Sequence, residues 1–284
     1  MPLDPIRTNH VNQVVADFGA AKAFYRDVLG AEIYWEGWDE DAKRDAALMV
    51  LGHTPTELFA PAENTSLLGQ NLQRFGESFH SFEWQVDDLE RAKAIFEEKG
   101  VRLTTYRPGS FFMTHPKDGH GLLFEICSHD MPGDPRLEDD FSDERWRNGP
   151  LGLLRLNAMG VAVRELEPAV EFFRSLSGGE EVYREKRPGV GNVVGVWVAD
   201  MVTELIEPDS DDSPVAAYID RLGPRIRSLD FQVKDVAAVT AHLESNDVRM
   251  AGADLPDDVM IDPRDNFGLI FQFSEAPRAA DPRN

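Results

Sequence analysis

One phrase occurs twice in this chain. Residues 114–125 read THPKDGHGLLFE, and residues 262–272 read DPRDNFGLIFQ. His115 and Asp262 stand 147 positions apart, and the spacing recurs: PTEL (55–58) returns as VTEL (202–205), and FEWQVDDL (82–89) as LDFQVKDV (229–236). With one residue of slippage, AFYRDVLGAE (23–32) matches EFFRSLSGGE (171–180). A period this long restricts the fold to stacked copies of one unit. Each half repeats again, more faintly. VVADFGAAKAFYRDVLGAEI (14–33) lies over QVDDLERAKAIFEEKGVRL (85–103), and VAVRELEPAVEFFRSL (161–176) over FQVKDVAAVTAHLESN (231–246). Four units of ~70 residues follow.

The order of elements within a unit is legible. HVNQVV (10–15) and FEWQV (82–86) carry the β-branched and aromatic residues of strands. Asp17 stands where a side chain caps free N–H groups, and Phe18, Ala21, Tyr25 and Val28 then fall at helical spacing with Phe24 beside them. Gly30 stops the helix, and AEIYWEG, AALMVLG and TELFAP read as three strands. The expected fold is therefore α+β: four βαβββ modules in tandem, paired into two domains. A helix on one face of a curved sheet leaves the other face to enclose a cavity. The stretch MPGDPRLEDDFSDERWRNGP (131–150), rich in Pro, Gly and charge, reads as the linker.

Composition narrows the partners. A formal charge of −22 disfavours nucleic acid and anionic membrane surfaces. No apolar run approaches the ~20 residues of a membrane span. The N-terminus lacks the layout of a secretory signal. Cys127 is the one cysteine, so no intrachain disulfide forms and nothing asks for an oxidising compartment; the expectation is cytoplasmic.

These residues resemble the vicinal oxygen chelate superfamily, which holds glyoxalases, methylmalonyl-CoA epimerases, bleomycin and fosfomycin resistance proteins, and extradiol dioxygenases. The likeness runs over almost the whole chain and is strongest over residues 8–128. NHVNQVVADFGAAKAFYRDVLGAE is similar to the opening of many members, and HPKDGHGLLFEI to the closing segment of the methylmalonyl-CoA epimerase/glyoxalase branch. The resemblance implies VOC-type half-barrels: a first domain over 1–130 (modules 8–62 and 78–128) with a metal site, the linker, a degenerate domain over 151–276 (modules 155–208 and 225–275) without one, and a tail over 277–284. It implies a divalent ion (Fe2+, Mn2+, Co2+, Ni2+ or Zn2+) bound by residues from the first and last strands of the modules. The matching positions are His10, Glu57 and Glu125. At the fourth, the family position falls on Ser81, with His80 one step earlier. Strand side chains alternate faces, so His80 reaches the ion only if a bulge turns it inward. An imidazole is the better ligand, so the expected set is His10, Glu57, His80 and Glu125.

In the second half the corresponding residues are Ala158, Glu204, Arg227 or Ser228, and Gln272. Alanine and arginine offer no lone pair to a cation, so this half is expected to brace or cover the site of the first. Plainer readings hold elsewhere. His115 and His120 flank a turn, SFF (110–112) and Trp84 are wall or core, and EPDSDDS (207–213) lacks the spacing and central glycine of a calcium loop.

Imidazole and carboxylate ligands without thiolate suit a six-coordinate first-row ion. The expected reaction is proton transfer through an enediolate on a small substrate with vicinal oxygens, an isomerase or lyase chemistry, with Glu57 and Glu125 as candidate catalytic bases. A second reading is Fe(II) extradiol cleavage of a catechol, although the four-module dioxygenases generally keep their metal in the C-terminal half. A third is a binding or resistance protein that performs no reaction. The substrate is the one partner expected, with room for a homodimer.

Overall fold

The structure, a computed structural model, describes residues 1–278 and 280–283. The first half runs β1 (Arg7–Val14), α1 (Phe18–Asp27), β2 (Glu32–Asp39), β3 (Arg44–Leu51), β4 (Thr54–Pro61), α2 (Leu67–Phe75), β5 (Ser78–Gln85), α3 (Leu89–Glu98), β6 (Leu103–Arg107), β7 (Phe111–Thr114) and β8 (Phe124–Cys127). After α4 (Glu144–Arg147), the second half repeats the order: β9 (Leu153–Ala162), α5 (Leu166–Ser177), β10 (Glu180–Arg187), β11 (Gly191–Val198), β12 (Met201–Pro208), α6 (Pro214–Leu222), β13 (Arg225–Val233), α7 (Val236–Ser245), β14 (Met250–Gly252), β15 (Val259–Ile261) and β16 (Ile270–Ser274). Among the described residues no helix is long and apolar enough to cross a membrane.

Each half is one mixed eight-stranded sheet, in the order β2-β3-β4-β1-β5-β8-β7-β6 and β10-β11-β12-β9-β13-β16-β15-β14. The two module-opening strands, β1 and β5, are antiparallel neighbours at the centre; each has its module's closing strand, β4 or β8, parallel beside it. This is the α+β, four-module architecture expected. The Asp17 carboxylate does cap α1, accepting from the Ala20 N–H at 2.9 Å.

The helix-covered faces of the two sheets share one core. Trp84 and Phe124 of the first sheet lie 5.5 and 6.4 Å from Phe173 of α5, while Phe271 of the second lies 5.8 Å from Tyr25 of α1. The repeated phrase docks the halves. His120 and Phe267, at corresponding places, both have left-handed backbone (φ 54° and 50°). Gly121 and Gly268 follow, with a Cβ built on each falling 2.3 Å from the carbonyl oxygen of Pro224 and Glu77 respectively. The same turn meets the same place on the opposite half twice, as a pseudo-twofold pair.

Two helices fall outside the modules read from the sequence. α2 and α6 join the modules of each half, capped by Ser66 and Ser213. Leu68 and Leu72 of α2 close over Val14, Ala46 and Phe59, on the face turned away from the core helices. α6 does the same in the second half. The 131–150 segment is also more than a spacer. Trp146 is buried there and donates to the Gly30 carbonyl at 2.8 Å.

Candidate metal centre

The inner face of the first sheet carries a row of acids around one imidazole. Strand register sets His10 opposite Glu83, Glu83 opposite Glu125, and Asn12 opposite Glu57. Residues paired this way share a face, so β4, β1, β5 and β8 aim four ionisable groups into one space. A donor atom from each of His10, Glu83 and Glu125 lies within 4.8 Å of the others. Glu57 stands beside this triangle, its Oε2 3.7 Å from His10 Nε2, and Glu125 Oε2 approaches the same nitrogen at 3.9 Å. These separations exceed hydrogen-bond reach. His10 is only 4% exposed, yet neither of its ring nitrogens has a hydrogen-bond partner.

Two buried carboxylates, Glu57 and Glu83, and the partly buried Glu125 need compensation. Arg44 of β3 supplies part, donating to Glu57 Oε1 at 3.1 Å while lying 4.5 Å over the Phe59 ring. Burial alone would depress the His10 pKa, but Glu83, Glu125 and Glu57 outweigh it and raise it to about 9. Without an ion the ring is therefore protonated at neutral pH and acts as the local cation. Burial raises Glu83 and Glu57, the latter against the pull of Arg44 and His10. Partial burial pushes Glu125 the same way, but His10 and Arg44 hold it below its ordinary range. Two amides orient the acids: Asn9 donates to Glu83 Oε1 at 2.9 Å, and Asn12 to Glu125 Oε2 at 2.9 Å.

Of the expected residues, His10, Glu57 and Glu125 meet, and His80 stands aside. The bulge considered from sequence exists. Val11 pairs with Phe82 and Gln13 with Phe79, leaving His80 and Ser81 opposite a single residue. Even so, His80 sets its ring edge-on to Phe59 at 5.5 Å, and its Nδ1 lies 3.0 Å from Ser81 Oγ. Burial lowers its pKa to about 4, so it is neutral. Ser81 in turn takes the Asn12 amide at 2.7 Å. Glu83 was missed. Its signal was an acid inside an aromatic strand that persists as Asp230 one period later. Arg44 left no such trace, since Gly191 occupies its place in the second half.

The second half fills the equivalent space with guanidinium groups. Arg187 donates to Glu204 Oε2 at 2.7 Å, and Arg278 lies 3.1 Å from both Glu204 and Asp230. Gln272 donates to Asp230 Oδ1 at 2.9 Å, and Arg227 to Asp254 Oδ1 at 2.8 Å. Arg278 is one period beyond Met131, which in the first half packs with Leu48 and Cys127. The acids kept in this copy are thus neutralised by protein cations.

Comparison with known proteins agrees with this architecture. The glyoxalase/bleomycin resistance protein/dioxygenase superfamily profile matches residues 9–114. An ethylmalonyl-CoA/methylmalonyl-CoA epimerase from Cereibacter sphaeroides is 30% identical over 130 residues, covering 42% of this chain and 96% of that protein. Two solved structures share the fold over nearly the full length. A variant of 4-hydroxymandelate synthase from Streptomyces coelicolor gives a TM-score of 0.74 at 15% identity, covering 95% of this chain and 92% of that one. The 2,3-dioxygenase LapB from Pseudomonas sp. KL28 gives 0.64 at 13% identity, covering 100% and 96%. The chain belongs to the glyoxalase/bleomycin resistance protein/dioxygenase superfamily.

Proposed function

We propose that the N-terminal half binds one divalent first-row metal ion through His10, Glu83 and Glu125, and uses it in proton transfer on a small substrate with adjacent oxygens. The observation that carries this reading is the buried His10 ring, unpartnered at both nitrogens and within 4.8 Å of two carboxylates. A buried imidazole normally finds a hydrogen-bond partner, and the hard oxygen donors beside it suit a six-coordinate ion. The bound ion supplies a Lewis acid that stabilises negative charge developing on a substrate oxygen.

The chain's own residues divide the remaining work. Glu57 lies outside the triangle, with Oε1 held by Arg44 and Oε2 free toward His10, so it is the carboxylate placed to take and return a proton. Its raised pKa suits that role. Asn9 and Asn12 fix Glu83 and Glu125, and α2 helps exclude water. Proton transfer is favoured over ring cleavage because the triangle contains one imidazole, with His80 turned to Ser81 and Phe59, whereas extradiol chemistry uses two.

Elemental analysis after loading with Co2+ tests the ion. Wild type and Gln272→Ala are expected to retain about one equivalent, and His10→Ala and Glu83→Gln less than ~0.1 equivalent. Equal loss in Gln272→Ala would place the ion elsewhere. No retention by wild type would favour a binding protein without catalysis. Exchange of the proton beside a carbonyl into D2O, followed by NMR over a panel of 2-oxo acids and acyl thioesters, tests the reaction. Glu57→Gln should abolish exchange while keeping the ion. Oxygen uptake with catechols would instead support the dioxygenase reading.

A further inference from the structure

A groove of about 960 Å³ runs between the halves, bounded by the C-terminal ends of α2 and α6 and by the docking turn of residues 115–121. Its charge opposes that of the molecule. Acids outnumber bases 51 to 29 over the chain, yet Arg74, Lys117, Arg164, Arg221 and Arg225 line the groove against two carboxylates, Glu165 and Asp220. Most cations of this protein lie in ion pairs, but none of these five pairs with a carboxylate among the described residues.

The plain explanation covers only two of them. Arg74 and Arg221 occupy the last turns of α2 and α6, where cations complement the helix dipole. Lys117 is free for a different reason. One period later Arg264 pairs with Asp262, but the residue matching Asp262 is His115, whose Nδ1 accepts from the Lys117 backbone N–H at 3.2 Å. The exchange of Asp for His leaves the Lys117 ammonium unpaired. Arg225 is the most enclosed. Its guanidinium lies 4.0 Å over the Phe75 ring, Nη1 reaches Ser78 Oγ at 3.4 Å, and its buried Nε has no hydrogen-bond partner. A guanidinium held over an aromatic ring without a carboxylate is organised for an incoming anion. Phe75, Phe79 and Pro224 supply an apolar floor.

We infer that this groove binds an organic polyanion, its phosphate or carboxylate groups held by Arg225, Arg221, Arg164 and Lys117 and its apolar part resting near Phe75. The site stands independently of the ion reading, because none of these side chains belongs to the acid triangle. The groove also reaches His80, whose Nδ1 meets Ser81 Oγ.

Calorimetric titration of the metal-free full chain separates the outcomes. The probes are a nucleoside diphosphate, inorganic pyrophosphate and citrate, at low and at physiological salt. Wild type is expected to bind at least one of them saturably at one per chain, more weakly as salt rises. Arg164→Glu combined with Arg221→Glu, both exposed and unpaired in wild type, should weaken it by at least ~10-fold. Tighter binding of the nucleotide than of pyrophosphate identifies a phosphorylated organic ligand, and preference for citrate identifies a polycarboxylate. The inference is overturned if no probe saturates below ~5 mM. It is equally overturned if Lys186→Glu combined with Lys234→Glu, which removes the same charge outside the groove, weakens binding as much.

Discussion

His10 stands under opposing electrostatic demands. Burial opposes its charge, three carboxylates demand it, and the demand wins, leaving a pKa of about 9 in the metal-free chain. A ligand imidazole must be neutral, so ion binding has to displace that proton. Calorimetry of Co2+ loading at pH 7.5, in buffers of different ionisation enthalpy, should give release of about one proton per ion bound. Release absent from wild type would mean that the ring is already neutral and that the acids do not act on it. The same group sets a stability trend. Its folded pKa lies above the unfolded 6.5, so its contribution to the metal-free fold is complete below 6.5 and lost as pH rises through about 9. His10, Glu57 and Glu125 were legible because each sits at a recurring strand position, whereas Glu83 was not. A pattern read residue by residue finds side chains that match a family position, and misses one that enters the same cluster two places further along the strand face. His80 stands against Ser81 and Phe59 for the opposite reason: a bulge rearranges local direction in a way that period-two alternation does not encode.

At the level of elements, strands and core helices were readable because burial of one face imposes a period on the sequence. α2 escaped because its nine residues, LLGQNLQRF, are few and fully bury only Gly69, although Leu68, Leu72 and Phe75 fall at helical spacing. The C-terminal segment escaped for another reason. Residues 277–284 read as a tail, yet Arg278 reaches into the second sheet, and Asp281–Arg283 repeats the Asp134–Arg136 clasp of the first half. In both clasps the arginine caps backbone carbonyls of the central strands: Arg136 those of Thr8 and Asn9, Arg283 that of Leu156. Removing Arg278 should therefore do more than loosen an end. Arg278→Met, which restores the residue type of the first half, strips one cation from two buried acids and should cost about 3–5 kcal/mol in urea unfolding. The acid limb gives an independent check. Burial would raise the Glu204 pKa, but Arg187 and Arg278 hold it below its ordinary 4.5. Its contribution is thus complete above 4.5 and lost as pH falls below that value. In Arg278→Met the depression is smaller, so less stability is lost on acidification and the loss is complete at a higher pH; an unchanged slope of stability against pH would show that Arg187 suffices alone.

At the scale of the molecule, duplication has divided the labour between two copies of one fold. The first keeps an acid cluster short of cations, and the second closes its own with arginines. Both keep the docking turn, and that retention explains the repeated phrase. Gly121 and Gly268 each bring backbone onto the opposite half with left-handed geometry (φ 98° and 74°) and with a neighbouring carbonyl oxygen 2.3 Å from where a Cβ would stand. Alanine at either place meets both strain and a clash with rigid backbone, so each substitution should destabilise the chain by about 1–3 kcal/mol. Because the contacts are related by pseudo-twofold symmetry, the two losses should be similar in size, despite the different chemistry of the two sheets. Thermal unfolding of Gly121→Ala and Gly268→Ala checks this directly. The turns also sit far apart in sequence but in one interface, so the double variant tests whether the halves unfold together. A single transition shifted by more than either alone is expected for one shared core. Two resolved transitions, or a neutral effect at one glycine only, would mean that the halves are stabilised separately and that the common aromatic core does not couple them.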